Sequence, residues 1–246
     1  MTVGAQADPP VPTRRERLRE TTLTEIKEVA RRHVVAHGAH ALSLRAIARE
    51  MGMTAPALYR YYDSREALIE ALIADIYDEL ADFLEAARDA VPQDDIAGRL
   101  LAVSRAFRVW SVTHTAEFGL VFGSPLPGYT TPSEGPAEEA GSRFGGVFAG
   151  LFGALWATRP FPVDEVVEPG LAAELAAYAE SLGGVMPPGA LKVFLQCWAR
   201  LYGQVALEIF GHLAFAVADV EPLFEDMLRD VAGQLGTAED YRPPGG

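Results

Sequence analysis

The sequence predicts an all-α fold: an amino-terminal three-helix unit of the helix-turn-helix type, then a larger helical region. Three observations predict it. Apolar residues recur at helical spacing along most of the 246 residues, and no convincing run alternates with period two. Residues 43–65, SLRAIAREMGMTAPALYRYYDSR, are punctuated as two short helices, a tight turn and the start of a third helix. Charge is divided along the chain: residues 1–65 carry 11 Lys+Arg against 7 Asp+Glu (net +4), whereas residues 66–246 carry 10 against 27 (net −17), within a total of −13. A polyanion is therefore favoured at the amino end and repelled by the remainder, which would help orient the chain on a duplex.

Taken in order, residues 1–13 read as a disordered arm. A first helix spans about 14–37, with Leu23, Ile26, Ala30 and Val34 as its buried stripe and Gly38 as its stop. Its start is rich in arginine (Arg14, Arg15, Arg17, Arg19), either reaching phosphates or a minor groove or forming a solvated face with Glu16 and Glu20. In the next short helix Ser43 is placed as cap, and Leu44, Ile47, Ala48 and Met51 form the buried face. Gly52 stands where positive φ is wanted. Thr54 is placed to cap the following short helix, with Pro56 in its first turn, where a missing N–H costs little. Leu58 points inward, leaving Ala55, Ala57, Tyr59 and Arg60 nearer the outside. Asp63 or Ser64 caps a long helix over about 65–90, with Leu68, Leu72, Ile76, Leu80 and Phe83 on its inner side.

The outward residues suit a phosphate-and-base surface. Hydroxyls of Ser43, Thr54 and Tyr59 can donate to phosphate oxygens. Arg45 and Arg60 reach far enough for base edges. Ala55 and Ala57 permit close approach, and Arg65 can hold a phosphate beside the positive end of its own helix. The stretch RAIAREMGMTAPALYRYYDSREAL resembles the DNA-binding domain of TetR-family transcriptional regulators, whose pattern runs xxIAxxxGxxxxxLYxYFxxKxxL. Tyr62 stands where Phe is common, Arg65 where Lys is common and Pro56 where Gly is frequent. The resemblance covers roughly residues 14–88. It implies phosphate contacts from Ser43, Thr54, Tyr59 and Arg65, and Arg45, Ala55, Pro56 and Arg60 nearest the bases.

Beyond Pro92, helices are expected over about 95–113, 115–122, 137–158, 164–182, 188–213 and 219–235. The segment GSPLPGYTTPSEGP (123–136) is a Pro/Gly-dense loop, and the tail TAEDYRPPGG is flexible. The expected organisation is thus a DNA-binding unit over 14–65, a connecting helix over 66–90, a ligand-binding and dimerisation domain over 91–236, and a tail over 237–246. Aromatic residues concentrate in the third part. Phe107, Trp110, His114, Phe118, Phe148, Phe152, Trp198 and Tyr202 are candidate ligand contacts, with Arg108 and Gln196 as further polar groups, against the plain alternative of an aromatic core. Gly145, Gly146, Gly150 and Gly153 interrupt one helix at a cost of about 1 kcal/mol each relative to Ala, which points to close backbone approach or room for a guest. Trp198, Tyr202 and Gly203 are similar to a Trp-x-x-x-His-Gly signature of a TetR subgroup, with tyrosine in place of histidine. Leu201, Val205, Leu207, Ile209, Phe210, Leu223, Phe224 and Leu228 give the last two helices more apolar surface than one buried face needs, so a homodimer through these helices is expected.

Other classes find little support. No P-loop, dinucleotide-binding glycine pattern, HExxH or G-x-S-x-G is present, so no catalytic residues and no cofactor are assigned. His33 and His37 lie four apart but read as a wet helix end rather than a metal site. The lone Cys197 permits no internal disulfide and sits in the apolar run VFLQCWARLY, buried and inert. No apolar run approaches the ~20 residues of a membrane span, and the amino terminus lacks a signal-peptide core, so no membrane partner and a cytoplasmic location are expected. The expected partners are an inverted-repeat DNA operator, a small apolar or amphipathic effector and a second copy of the chain. A helical dimeric interaction module is the rival.

Overall fold

The computed structural model describes residues 13–124, 126, 129, 134–164, 166–181 and 183–244. Among the described residues ten α-helices follow one another: α1 (Arg14–His37), α2 (Leu44–Glu50), α3 (Ala55–Leu58), α4 (Arg65–Asp89), α5 (Ile96–Thr113), α6 (Thr115–Val121), α7 (Pro136–Thr158), α8 (Pro169–Ser181), α9 (Pro188–Ile209) and α10 (Glu221–Gln234). Short 3₁₀ turns occupy Ala39–Ala41 and Ala238–Asp240. No strand occurs among the described residues. The expected arm lies outside them except for Thr13, and so does much of the 123–136 loop.

Helix ends follow local chemistry. Thr13 begins α1 in a capping box, its hydroxyl accepting from the Glu16 N–H while the Glu16 carboxylate accepts from the Thr13 N–H. Gly38 (φ 78°) ends α1 and Gly52 (φ 66°) turns the chain between α2 and α3, a backbone region that L side chains rarely adopt. Ser64 caps α4 through the Ala67 N–H at 3.0 Å, and Asp95 caps α5 through the Gly98 N–H at 2.8 Å. Ser43 and Thr54 occupy N-cap positions, but neither hydroxyl makes the cap hydrogen bond expected of it.

α1 to α3 form a small head whose core holds Ile26, Ala30, Val34, Ile47 and Leu58. α4 belongs to both halves. It packs on α1 at the head, and on α5, α6 and α7 in the body. Its buried residues run from Leu68 to Leu84; at 1.5 Å per residue the helix is about 37 Å long. Phe83, expected on the inner side, is 42 % exposed, and Leu84 takes the inward place one step further on, beyond the drift of a 3.6-residue repeat.

A polar clasp joins head to body. Arg31 of α1 forks onto Glu79 of α4, Nη1 to Oε2 at 2.5 Å and Nη2 to Oε1 at 3.2 Å, while its Nε donates to Glu117 Oε1 of α6 at 2.9 Å. The Trp110 indole N–H of α5 donates to Glu79 Oε1 at 3.3 Å. His114 stacks on Trp110 with ring centroids 4.8 Å apart. Lys27 adds a second α1–α4 tie to Asp75 at 2.6 Å. Glu117 is buried, and Arg31 is the cationic partner that satisfies its carboxyl oxygen.

Other corrections concern apolar faces and ends. Leu201, Val205, Phe224 and Leu228 are not surplus surface but core, each at most 6 % exposed. α9 stops at Ile209 rather than near 213 because Gly211 (φ 72°) turns the chain away. The tail is docked as far as it is described: Thr237 is buried, and the Tyr241 hydroxyl donates to Glu225 Oε2 at 2.7 Å.

The Arg31 bonds, chiefly, hold the Glu79 carboxyl below its usual 4.5. A depressed carboxyl contributes stability that is fully present above its unfolded value and is lost as pH falls through the native one. Glu79→Gln is expected to cost about 1–2 kcal/mol and about 2–8 °C in Tm. Thermal unfolding followed from pH 7 to pH 3 should show the gap between variant and parent closing at the acid end. Leu58→Ala, which empties the centre of the head, is expected to cost about 2–5 kcal/mol in a chemical denaturation curve.

Candidate nucleic-acid interface and effector cavity

α3 is a single helical turn, extended by bonds from the Tyr59 N–H to Ala55 O (3.1 Å), the Tyr61 N–H to Leu58 O (2.8 Å) and the Tyr62 N–H to Leu58 O (3.2 Å). Leu58 is 0 % exposed and anchors this turn from behind, while Tyr59 is 45 % exposed and Arg60 is exposed beside it. Thr54 and Pro56 are exposed on the same short element, and Ala55 and Ala57 are half-buried. On α2, Arg45 and Arg49 are exposed one turn apart, and Ser43 is half-buried at its start. The free cap hydroxyls of Ser43 and Thr54 remain able to donate to an acceptor outside the protein.

Arg65, the expected phosphate ligand, also has a place in the fold. Its Nε donates to Leu42 O at 3.0 Å and its Nη2 to Ala39 O at 3.2 Å, so the guanidinium ties the start of α4 to the α1–α2 connection. Glu50, the acidic residue nearest this surface on α2, is neutralised by Arg32 (3.0 Å) and lies 2.7 Å from His33. His33 thus has a carboxylate neighbour on the head itself. Among the described residues no group of three or more His, Cys, Asp or Glu is arranged to hold a metal ion.

In the body, the aromatic residues separate into two sets. Phe107, Trp110 and Phe118 are at most 1 % exposed and form the packed centre, where Phe107 meets Phe118, Phe122, Phe144, Phe148 and Trp198 at centroid distances of 5.6–6.3 Å. Phe148, Phe152 and Trp198 instead line a cavity of about 40 Å³ between α5, α7, α9 and α10, with Leu101, Phe194 and Met227 among the other walls. The polar candidates are committed elsewhere. Arg108 is bidentate to Glu208 at 2.7 and 2.8 Å, His114 belongs to the clasp, and the Tyr202 hydroxyl donates to Phe122 O at 2.8 Å. Gln196 is exposed on α9. Tyr202 lines a separate, open groove shared by α6, the end of α9 and the head residues Gly38 to His40. Cys197 is on the cavity wall, and burial pushes its thiol up to about 11, so it stays protonated at neutral pH. A Cβ added at Gly145, Gly146 or Gly150 would meet nothing within 4 Å, so these glycines serve no close approach; one at Gly153 would touch Val185 at 3.5 Å.

The cavity walls supplied by α10 have no signature in the sequence. Met227, Val231 and Leu235 carry no aromatic signal, and only the folding of α10 back across α5 and α9 brings them to the wall. Glu79, Glu117 and Arg31 were likewise overlooked, because a clasp across 48 and 86 residues leaves no trace in local spacing.

Comparison with known proteins agrees with this architecture. Residues 26–72 match the family described as bacterial regulatory proteins, tetR family, and residues 100–231 match the tetracyclin repressor-like C-terminal domain. The chain is 37 % identical over 202 residues to the HTH-type transcriptional regulator Rv1816 of Mycobacterium tuberculosis, covering 80 % of this chain and 85 % of that protein. The HTH-type transcriptional regulator Mb1846 of Mycobacterium bovis matches with the same identity and coverage. The crystal structure of SCO4313, described as a regulatory protein, superposes with a TM-score of 0.73 at 34 % identity, over 90 % of this chain and 100 % of that one. A TetR/AcrR-family regulator from Thermobifida fusca shares the fold, with a TM-score of 0.54 at 18 % identity over 91 % of this chain and 100 % of that one. Among the described residues no helix is long and apolar enough to cross a membrane. With a recognition turn on its surface, an all-helical body behind it and both halves matched, the chain belongs to the TetR family of transcriptional regulators.

Proposed function

We propose that this protein is a ligand-responsive repressor that binds an inverted-repeat operator as a homodimer and is released by a small apolar or amphipathic molecule. The observation that carries the reading is the recognition turn, where Leu58 is fully buried while Tyr59 and Arg60 face solvent. Arg45 and Arg60 read base edges, Ala55 and Pro56 lie against the groove floor, and Ser43, Thr54 and Tyr59 donate to phosphates. Arg65 holds the frame that presents them and, through its remaining N–H groups, meets a phosphate.

The dimer face belongs chiefly to α9. Leu195, Ala199, Gly203, Ala206, Leu207 and Phe210 follow one another along a side that carries no charge, and Leu195, Leu207 and Phe210 are 38–46 % exposed. α10 adds Leu223 at 41 % exposure, but its other outward residues include Asp226, Arg229 and Asp230. Two α9 helices crossing at their small residues, flanked by the α10 pair, form a four-helix bundle that sets the two heads about 34–36 Å apart or at a comparable spacing. Within the Trp-x-x-x-His-Gly subgroup, Tyr202 takes the histidine position and fastens α9 to the end of α6 through Phe122 O.

An effector in the cavity favours one packing of α5, α7, α9 and α10. α4 packs against α5 and α7, so it transmits that preference to the heads. A tenfold loss of operator affinity requires only about 1.4 kcal/mol of differential ligand binding, and the operator weakens the ligand by the same factor.

Selection of duplexes from a random pool should return an inverted repeat with the parent protein and none with an Arg45→Ala/Tyr59→Ala/Arg60→Ala variant. The arginine substitutions made singly should each cost about 1–3 kcal/mol of discrimination, and affinity should fall linearly on a log–log salt plot. Recovery of the same repeat by the triple variant would refute the proposed surface. An Ala199→Glu/Leu207→Glu variant is expected to sediment as a monomer and to lose about 10²–10⁴-fold in operator affinity, the gain that two linked heads confer.

A further inference from the structure

Building on the effector reading above, we infer that the cavity takes an uncharged, hydrocarbon-like guest and excludes acids and amines, and that the C-terminal strap, residues 236–242, is the wall that moves to admit it. None of the sixteen residues lining the cavity is Asp, Glu, Lys, Arg or His. The arginines of the surrounding helices are held by carboxylates elsewhere: Arg105 by Glu225, Arg108 by Glu208, Arg143 by Asp82 and Glu85, and Arg200 by Asp230. The lining hydroxyls are turned to their own backbone, Ser104 donating to Leu100 O at 2.8 Å and Thr237 to Ala232 O at 3.2 Å. The Cys197 thiol stays neutral. A carboxylate or ammonium entering here loses its water and meets no opposite charge, the costliest form of burial. Two other grooves on the body differ, one edged by Arg88, Asp89 and Arg99 and another by His40 and His212, whereas an uncharged groove between α7, α8 and α9 has no aromatic wall.

The cavity, about 40 Å³, is a narrow one, whereas ligand sites commonly need a few hundred Å³. Some wall must yield. Most of the wall is regular helix, but one edge is the turn after α10, where Leu235 and Thr237 line the cavity and Gly236 (φ 66°) bends the chain back. That turn is fastened from outside by a few polar contacts. The Tyr241 hydroxyl donates to Glu225 Oε2, Arg105 Nη2 donates to Arg242 O at 2.5 Å, and Asp240 pairs with Arg159 at 2.5 Å. The Arg229 guanidinium lies over the Tyr241 ring, 4.9 Å from its centroid. Burial of Glu225 opposes its charge, yet the Arg105 and Tyr241 bonds hold its carboxyl below the usual range, so the catch is ionised at neutral pH. Releasing these contacts frees the strap without unwinding a helix.

A matched pair of fluorescent probes tests both parts on the full-length protein: N-phenyl-1-naphthylamine, which is neutral, and 8-anilinonaphthalene-1-sulfonate, which adds one negative charge to the same rings. The neutral probe is expected to bind, the sulfonate at least about 100-fold more weakly, and either of two fillers on different helices, Ala97→Leu or Ala232→Leu, should abolish neutral binding while circular dichroism stays native. Tyr241→Phe, and separately truncation after Thr237, should speed association of the neutral probe by about tenfold in stopped flow. Equal affinity for the two probes, or binding indifferent to both fillers, overturns the guest class; unchanged association in both strap variants overturns the gate. If the neutral probe behaves as stated yet leaves operator binding untouched at saturation, the cavity assignment stands and the effector reading falls.

Discussion

The structure depends on one helix being buried along its whole length against two different neighbourhoods. Residues Leu68 to Leu84 of α4 are packed by the head at one end and by α5, α6 and α7 at the other. Neither half can close its apolar face without the same rod, so their cores are continuous. A rigid helix shared in this way carries displacement rather than absorbing it, because a packed interior resists gradual deformation and prefers discrete arrangements.

The Arg31 clasp determines which arrangements are allowed. Apolar packing along α4 would tolerate small slides and rotations, being non-directional. A guanidinium forked onto Glu79 and also bonded to buried Glu117 is directional, and it joins α1, α4 and α6 at one point. The Trp110 N–H brings α5 to the same carboxylate. Four helices therefore meet at one group, and any change in body packing that rotates α4 must also rearrange these bonds. The clasp is ionic where head meets body while the cavity carries no charged side chain, so the first is sensitive to acidity and salt and the second is not.

What the sequence reveals of this fold is the part written locally. Gly38, Gly52 and Ser64 are at the ends of their helices because a left-handed residue or an N-cap acts over three or four positions. Leu58 and Tyr59 fall on opposite sides of the recognition turn for the same reason. The errors arise where tertiary contact decides. Val205 and Phe224 look like surplus apolar surface until α9 and α10 fold against the aromatic centre and cover them. Phe83 and Leu84 exchange roles because the buried side of α4 keeps a four-residue spacing from Leu68 to Leu84 as its neighbours change along its length. Of the candidate ligand contacts, composition cannot separate Phe107 from Phe148: both are inward aromatics, and only the position of α10 decides which one borders empty space. Arg65 is basic and at a helix start, but the bonds it also makes to carbonyls of the α1–α2 connection leave no mark in local spacing.

The indoles are placed unusually well in this molecule. Trp198 stands in the wall of the cavity, and Trp110 lies in the joint between head and body with its N–H on Glu79. Trp156 is set apart, against Phe161 at the far end of α7. Each emits according to the polarity and the fields around it, so the chain carries its own optical labels at the place where a guest would arrive and at the place where its arrival would be felt. With the third indole as a bystander, emission would distinguish a change at the cavity from a change at the joint.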